Sequence, residues 1–167
     1  MGPLPKSNQW NTHVVVVQDF FTKWLVAIPT TQPTALVVAK VLWANWLMIY
    51  SPMKRLLSDN GTEFANHLIL ELCATFSIKK IFTVPHHPQS NGSVERMMRT
   101  ITGLLRPNLF RVDNADWDTA LPSLVYAYNV SVHAVTQEMP FFIWCGHLPN
   151  SVNPTAVVPR SDISTVS

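Results

Sequence analysis

Four consecutive β-branched residues, Val14-Val15-Val16-Val17, constrain this chain more than any other feature. A strand turns successive side chains to opposite faces, so an unbroken apolar run needs cover on both sides, as in sheets flanked by helices. A second run, Trp24-Leu25-Val26-Ala27-Ile28-Pro29, follows after only a few residues. The pair predicts a hairpin with strands over 13–20 and 24–29.

The remaining chain supplies the cover. Pro33 stands at a helix start, and the tract from there to Ile49 predicts a largely buried helix with Leu36, Ala39, Trp43, Trp46, Leu47 and Tyr50 on one side. Residues 53–58 predict a short strand. From Thr62, the apolar positions Phe64, Leu68, Leu72, Cys73 and Phe76 recur at helical spacing, and 78–84 predicts a fourth strand. Beyond Asn91, the residues Val94, Met97, Met98, Ile101, Leu104 and Leu105 keep helical period and should face the core. That phase leaves Glu95, Arg99, Thr102 and Arg106 on the adjoining, accessible face. A last helix from about 115 uses Trp117, Leu121, Leu124, Val125 and Tyr128, with Pro122 kinking its early part. Strands separated by helices after an initial hairpin give an α/β fold, a mixed sheet with flanking helices. Residues 1–12, with Pro3 and Pro5, read as an extended segment that cannot be a central strand. The domain proper runs over 13–149, and 150–167 is a loose tail.

Composition narrows the function classes. The chain of 167 residues is 47% hydrophobic and 13% charged, which fits one domain with a real core and excludes a disordered chain. A net charge of +2 gives no case for nucleic-acid binding, which would rest on the local pairs Lys54-Arg55, Lys79-Lys80 and Arg96 with Arg99. Cys73 and Cys145 form no Cys-x-x-Cys, so neither a disulfide framework nor a zinc site is indicated, and a reducing, intracellular setting fits. The longest apolar tract, 35–48, is broken by Lys40 and Asn45 and is too short to span a bilayer.

Two carboxylates stand where phosphoryl chemistry would want them. Asp59 ends an apolar run and precedes the turn residues Asn60-Gly61. Glu95 follows 35 residues later, in the first turn of a helix opened by the breaker-rich stretch 85–93. Acids from a strand tip and a neighbouring helix could hold Mg²⁺ or Mn²⁺, hard cations that take oxygen ligands, and so support phosphodiester cleavage and transfer. Singly these residues have ordinary alternatives. Asp59 could cap a turn, Glu95 could pair with Arg99 one turn on, and His86 and His87 could be loop surface.

Many positions match one family together. Gly2-Pro3-Leu4-Pro5, Asp19-Phe20-Phe21-Thr22-Lys23-Trp24, Ser58-Asp59-x-Gly61-x-x-Phe64, His87-Pro88-Gln89-Ser90-Asn91-Gly92-x-x-Glu95-Arg96, Trp117, Ala127-Tyr128-Asn129 and Pro140-Phe141-Phe142-x-x-x-Gly146-x-x-Pro149 resemble the landmarks of Ty3/gypsy-type retrotransposon integrase cores. The resemblance implies a ribonuclease-H-like fold, DNA as substrate, and metal-dependent DNA integration in the nucleus by a homo-oligomer. It makes Asp59 and Glu95 the second and third members of an Asp, Asp, Glu metal triad. Gln89, Ser90, Asn91 and Gly92 then form a loop beside the site, and Arg96 and Arg99 contact DNA.

One departure matters. The family's first catalytic aspartate stands on a strand just ahead of Gly-Pro-Leu-Pro, and this sequence starts at Met1, directly before Gly2. The resemblance therefore implies a truncated core that lacks its first, central strand and is inactive in this form. Asp19 matches the family's second-strand signature rather than the triad, and is expected only as a neighbour of the site. The alternative is a catalytically silent, domesticated or decayed integrase-derived module that binds DNA or a protein.

Overall fold

The computed structural model describes residues 1–83, 99–103 and 117–150. The valine run forms β1 (His13–Gln18), which pairs antiparallel with β2 (Leu25–Thr30) in the register Val14↔Pro29 to Gln18↔Leu25. Helix α1 (Ala35–Leu42) passes through a π turn (Trp43–Leu47) into α2 (Met48–Tyr50). Strand β3 (Arg55–Ser58) pairs in parallel with β4 (Lys79–Phe82), and α3 (His67–Thr75) makes the crossover between them. A helical turn at 99–103, then α4 (Trp117–Asn129) and α5 (Pro140–Cys145), complete the described elements. No helix among these residues is long and apolar enough to cross a membrane.

The hairpin is covered on both faces. Val14 joins Leu25, Ala27, Ile101, Trp117 and Leu121 in one core, with Val16 packed against it. Val15 joins Val38, Ala39, Leu42, Trp46, Ile69 and Cys73 in the other, with Val17, Val26 and Ile28 alongside. Odd and even valines thus serve different helices, α1 and α3 below and α4 above.

Local chemistry moved several expected boundaries. Helix α3 starts at His67 rather than near Thr62, because the Asn66 side chain accepts from the Leu68 amide at 3.0 Å and caps the first turn. The buried stripe of the long helix is also one position off the expected one. Val38, Ala39, Val41, Leu42, Trp46 and Leu47 are inside, whereas Leu36 and Trp43 lie on the outer face. Trp43 meets Phe76 edge-on at 5.4 Å, so it caps the core from outside. Helix α4 runs on through Pro122, which is exposed. The tail 151–167 lies outside the described residues.

Helix α4 also closes the outer edge of β2. Asn129, buried, accepts from the Leu25 amide through Oδ1 and donates to the Leu25 carbonyl through Nδ2, both at 2.9 Å. One side-chain amide thereby replaces a neighbouring strand. Removing it leaves a buried N–H and a buried C=O without partners, each costing about 1–3 kcal/mol. Asn129→Ala is therefore expected to lower the unfolding free energy by about 2–5 kcal/mol, read from urea midpoints at constant m.

The opening segment is held by a buried carboxylate. Asp118 Oδ2 accepts from Ser7 Oγ at 2.5 Å and Asn11 Nδ2 at 2.8 Å, and Oδ1 accepts from the Thr119 amide at 2.9 Å. Burial pushes this carboxyl up, but the hydrogen bonds from Ser7, Asn11, Thr119 and its own amide outweigh it and bring the pKa below the usual value. A carboxyl depressed on folding stabilises the fold above its unfolded pKa, and that contribution is lost as pH falls through the depressed value. Acid titration should show stability dropping between about pH 4 and 2. Asp118→Asn should lower stability at neutral pH and flatten that drop.

Candidate active site

Asp59 stands directly after β3, at the carboxyl end of the parallel pair, with its residue exposed. The tip is braced from behind. Thr83 donates its amide to the Ser58 carbonyl at 2.9 Å, and Asn60 Nδ2 reaches the Thr83 carbonyl at 3.3 Å. Ser58 Oγ donates to the Asp59 carbonyl at 2.8 Å and accepts from Lys80 Nζ. Burial lowers the Lys80 pKa, while the Cys73 thiol and Asp59 pull it upward. A cation thus sits under the strand tip. The Asp59 side chain uses one oxygen locally, Oδ1 accepting from the Gly61 amide at 3.2 Å in an Asx turn.

A second carboxylate shares this end of the molecule. Glu63 lies one turn on, and both it and Asp59 act on the Met1 ammonium, whose pKa burial lowers and these two acids raise. Met1 is seated on β1, donating to and accepting from Val14 at 2.8 and 2.9 Å. Gly2 allows this approach. Its φ is +149°, and a β-carbon there would lie 2.4 Å from the His13 ring and 2.8 Å from the Thr12 carbonyl. Glu63 did not stand out in the sequence, although its i+4 spacing from Asp59 was the available signal. A cleft of about 550 Å³ opens beside it, lined by His13, Gln32, Pro33, Thr34, Ala35, Thr62, Glu63 and Asn66.

The other expected residues divide. Glu95, Gln89, Ser90, Asn91 and Arg96, with His86 and His87, lie outside the described residues. Arg99 is described and exposed, on the helical turn whose Ile101 is buried. That turn reaches the same end of the molecule, since Thr102 Oγ1 contacts Met1 Sδ at 3.5 Å. Asp19 is elsewhere, in the β1–β2 turn beyond Gln18, five residues along from the Val14 that carries Met1. Its Oδ2 accepts from the Phe21 amide at 3.1 Å, the Thr22 amide at 2.7 Å and Thr22 Oγ1 at 2.8 Å. Among the described residues no group of three or more His, Cys, Asp or Glu could hold a metal ion.

The geometry has the mark of one known group. The chain is 37% identical over 150 residues to the retrovirus-related Pol polyprotein of transposon 412 from Drosophila melanogaster, covering 90% of this chain and 12% of that protein. It is 31% identical over 142 residues to the Bos taurus gypsy retrotransposon integrase-like protein 1, covering 85% of this chain and 28% of that one. Among solved structures it matches the catalytic core domain of BIV integrase with a TM-score of 0.65 and 27% identity, covering 82% of this chain and 88% of the other. The chain belongs to the gypsy-type integrase cores. The integrase core also matches the fold of the simian T-cell lymphotropic virus intasome, solved in complex with PP2A regulatory subunit B56 gamma, at a TM-score of 0.70 and 21% identity, over 99% of this chain and 62% of that one. No protein-family model matches the chain. The fold is ribonuclease-H-like, as the resemblance implied. The core spans between about an eighth and just over a quarter of these two curated relatives.

Asp19 as a turn clamp has a direct consequence. Asp19→Ala removes three hydrogen bonds from a half-buried turn and should cost about 1–3 kcal/mol. Calorimetry with Mg²⁺ should give the same isotherm for Asp19→Ala as for the unaltered chain.

Proposed function

We propose that this chain is the core of a metal-dependent DNA strand transferase, with Asp59 and Glu95 as metal ligands. The carrying observation is Asp59 itself, an exposed carboxylate at the braced carboxyl tip of β3 in a chain that belongs to the integrase cores. The donor set fits a hard divalent ion. Asp59 has one oxygen engaged by Gly61, and the described residues donate nothing to the other. The contact of Thr102 with Met1, which itself lies in the field of Asp59, supports bringing the helix of Glu95 to the same tip.

Bound Mg²⁺ or Mn²⁺ would supply charge stabilisation for an in-line phosphoryl displacement. The chain's own part is to hold Asp59 in place through the Gly61 amide, the Ser58 hydroxyl and the Lys80 ammonium. Arg99, exposed on the turn beside Met1, and Arg96, Gln89, Ser90 and Asn91 are the residues assigned to the DNA backbone. That substrate places the protein in the nucleus as part of a homo-oligomer.

A second reading is a silent module that binds DNA or a protein through the same fold. What favours it is the absence, among the described residues, of a third acid beside Asp59 and Glu63. DNA nicking by the integrase in its polyprotein context separates the two readings. With Mg²⁺, Asp59→Asn and Glu95→Gln should each cut the nicking rate by a factor on the order of 10² or more. An unchanged rate in Asp59→Asn sinks the assignment.

A further inference from the structure

Strand β1 has a second edge that faces away from β2. Val14 exchanges both of its backbone bonds with Met1, so its amide and carbonyl point away from its partner Pro29, which has no N–H to give. The antiparallel ladder alternates, so the amides and carbonyls of Val16 and Gln18 point the same way as those of Val14. Leu25 opposite Gln18 shows the matching parity on the far side, where its groups meet Asn129. Among the described residues no backbone group pairs with Val16 or Gln18 on that edge.

Strand β3 is bonded on one side only, to β4. It contributes Leu56 to the core that holds Val15, Val38 and Ile69, whereas no residue of β4 packs there, so β3 is the inner strand of its pair. Its tip, Asp59, lies in the field of the Met1 ammonium seated on β1. The two open edges therefore flank one groove, and Met1 forms the first rung at one end of it.

We propose that this groove is a strand-docking site that takes a separate, extended apolar peptide segment by β-augmentation. The Met1–Val14 rung fixes the direction, since two residues exchange both bonds only in an antiparallel pair. The guest runs antiparallel to β1 along Val15 to Gln18 and parallel to β3, with its carboxyl end at the Met1 ammonium. Its composition follows from the two cores. Val15 and Val17 face one and Val14 and Val16 the other, so both faces of the guest are buried beside β1 and β-branched apolar residues suit them. The proposal stands apart from the metal assignment, because it uses no carboxylate.

The probe is a seven-residue peptide with five alternating Val and Ile residues between terminal lysines and a free carboxylate. A control carries N-methyl groups on the alternate residues that would donate to β1. Amide exchange of the 167-residue chain, followed by NMR, should show Val16 and Gln18 slowed at least about tenfold by the peptide, in a one-to-one complex. The methylated control should bind roughly tenfold more weakly, reflecting the lost hydrogen bonds. Equal binding of both peptides would mean apolar adsorption and overturn the proposal, as would unchanged exchange at Val16 and Gln18. Protection of these amides without peptide, growing with protein concentration, would make a second copy the occupant and overturn it equally.

Discussion

The double burial of β1 is the constraint on which the rest of this structure depends. A strand with valines on both faces cannot lie on the surface of anything, so α1 and α3 must gather on one side and α4 on the other. Each buried valine contributes about 1.5 kcal/mol or more by leaving water, and none can do so unless both layers form. The hairpin is thereby the shared wall of two cores. Everything that positions the candidate site is anchored to it, including Met1 on Val14 and the long helix that packs against Val15.

That arrangement also explains why polar groups are found so deep. Burying β2 against α4 leaves the Leu25 amide and carbonyl with no water, and Asn129 meets both at once. Burying the opening segment against the start of α4 does the same for Ser7 and Asn11, which Asp118 gathers onto one oxygen. The indole of Trp117 completes this seam by donating to the Pro5 carbonyl at 2.7 Å. Such contacts stabilise by avoiding the cost of unpaired buried groups more than by their own strength.

Much of this was legible in the chain, and what was not has identifiable reasons. The valine run, the hairpin, the parallel pair and the phase of α4 all rest on side-chain periodicity, which burial enforces. The start of α3 was missed because Phe64 continues a helical spacing, while the cap on Asn66 decides where the helix begins. Helix α5 escaped because six residues hold too little periodicity. Its true signals were the flanking ones, Pro140 in the first turn and Gly146 at φ +74° as its left-handed cap. Leu36 and Trp43 misled because an apolar residue is as often at the rim of a core as inside it. At the candidate site Asp59 was readable from its strand and turn. Glu63 and the pairing of Lys80 with Ser58 depend on how separate elements meet, which no local pattern encodes.

The electrostatics of the strand tip follow from the same geometry. β3 and β4 end together because Thr83 and Asn60 tie their exits, and this leaves Asp59 projecting while Ser58 is buried beneath it. Lys80, one register step back on β4, puts its ammonium on the Ser58 hydroxyl and its chain over the Phe82 ring at 4.3 Å. An ammonium held on the inner side leaves the outer side of the tip to the acids Asp59 and Glu63. Opposite charges are thus separated across one residue of strand, with the cation in the poorly solvated position and the acids facing open solvent and the cleft. Coulomb interactions strengthen as the surroundings become less polar, so a positive group under the tip favours an ionised carboxylate above it without occupying its outward oxygen. A strand end built this way is suited to meet a second positive charge from outside, which is the situation a divalent ion or a basic partner would create.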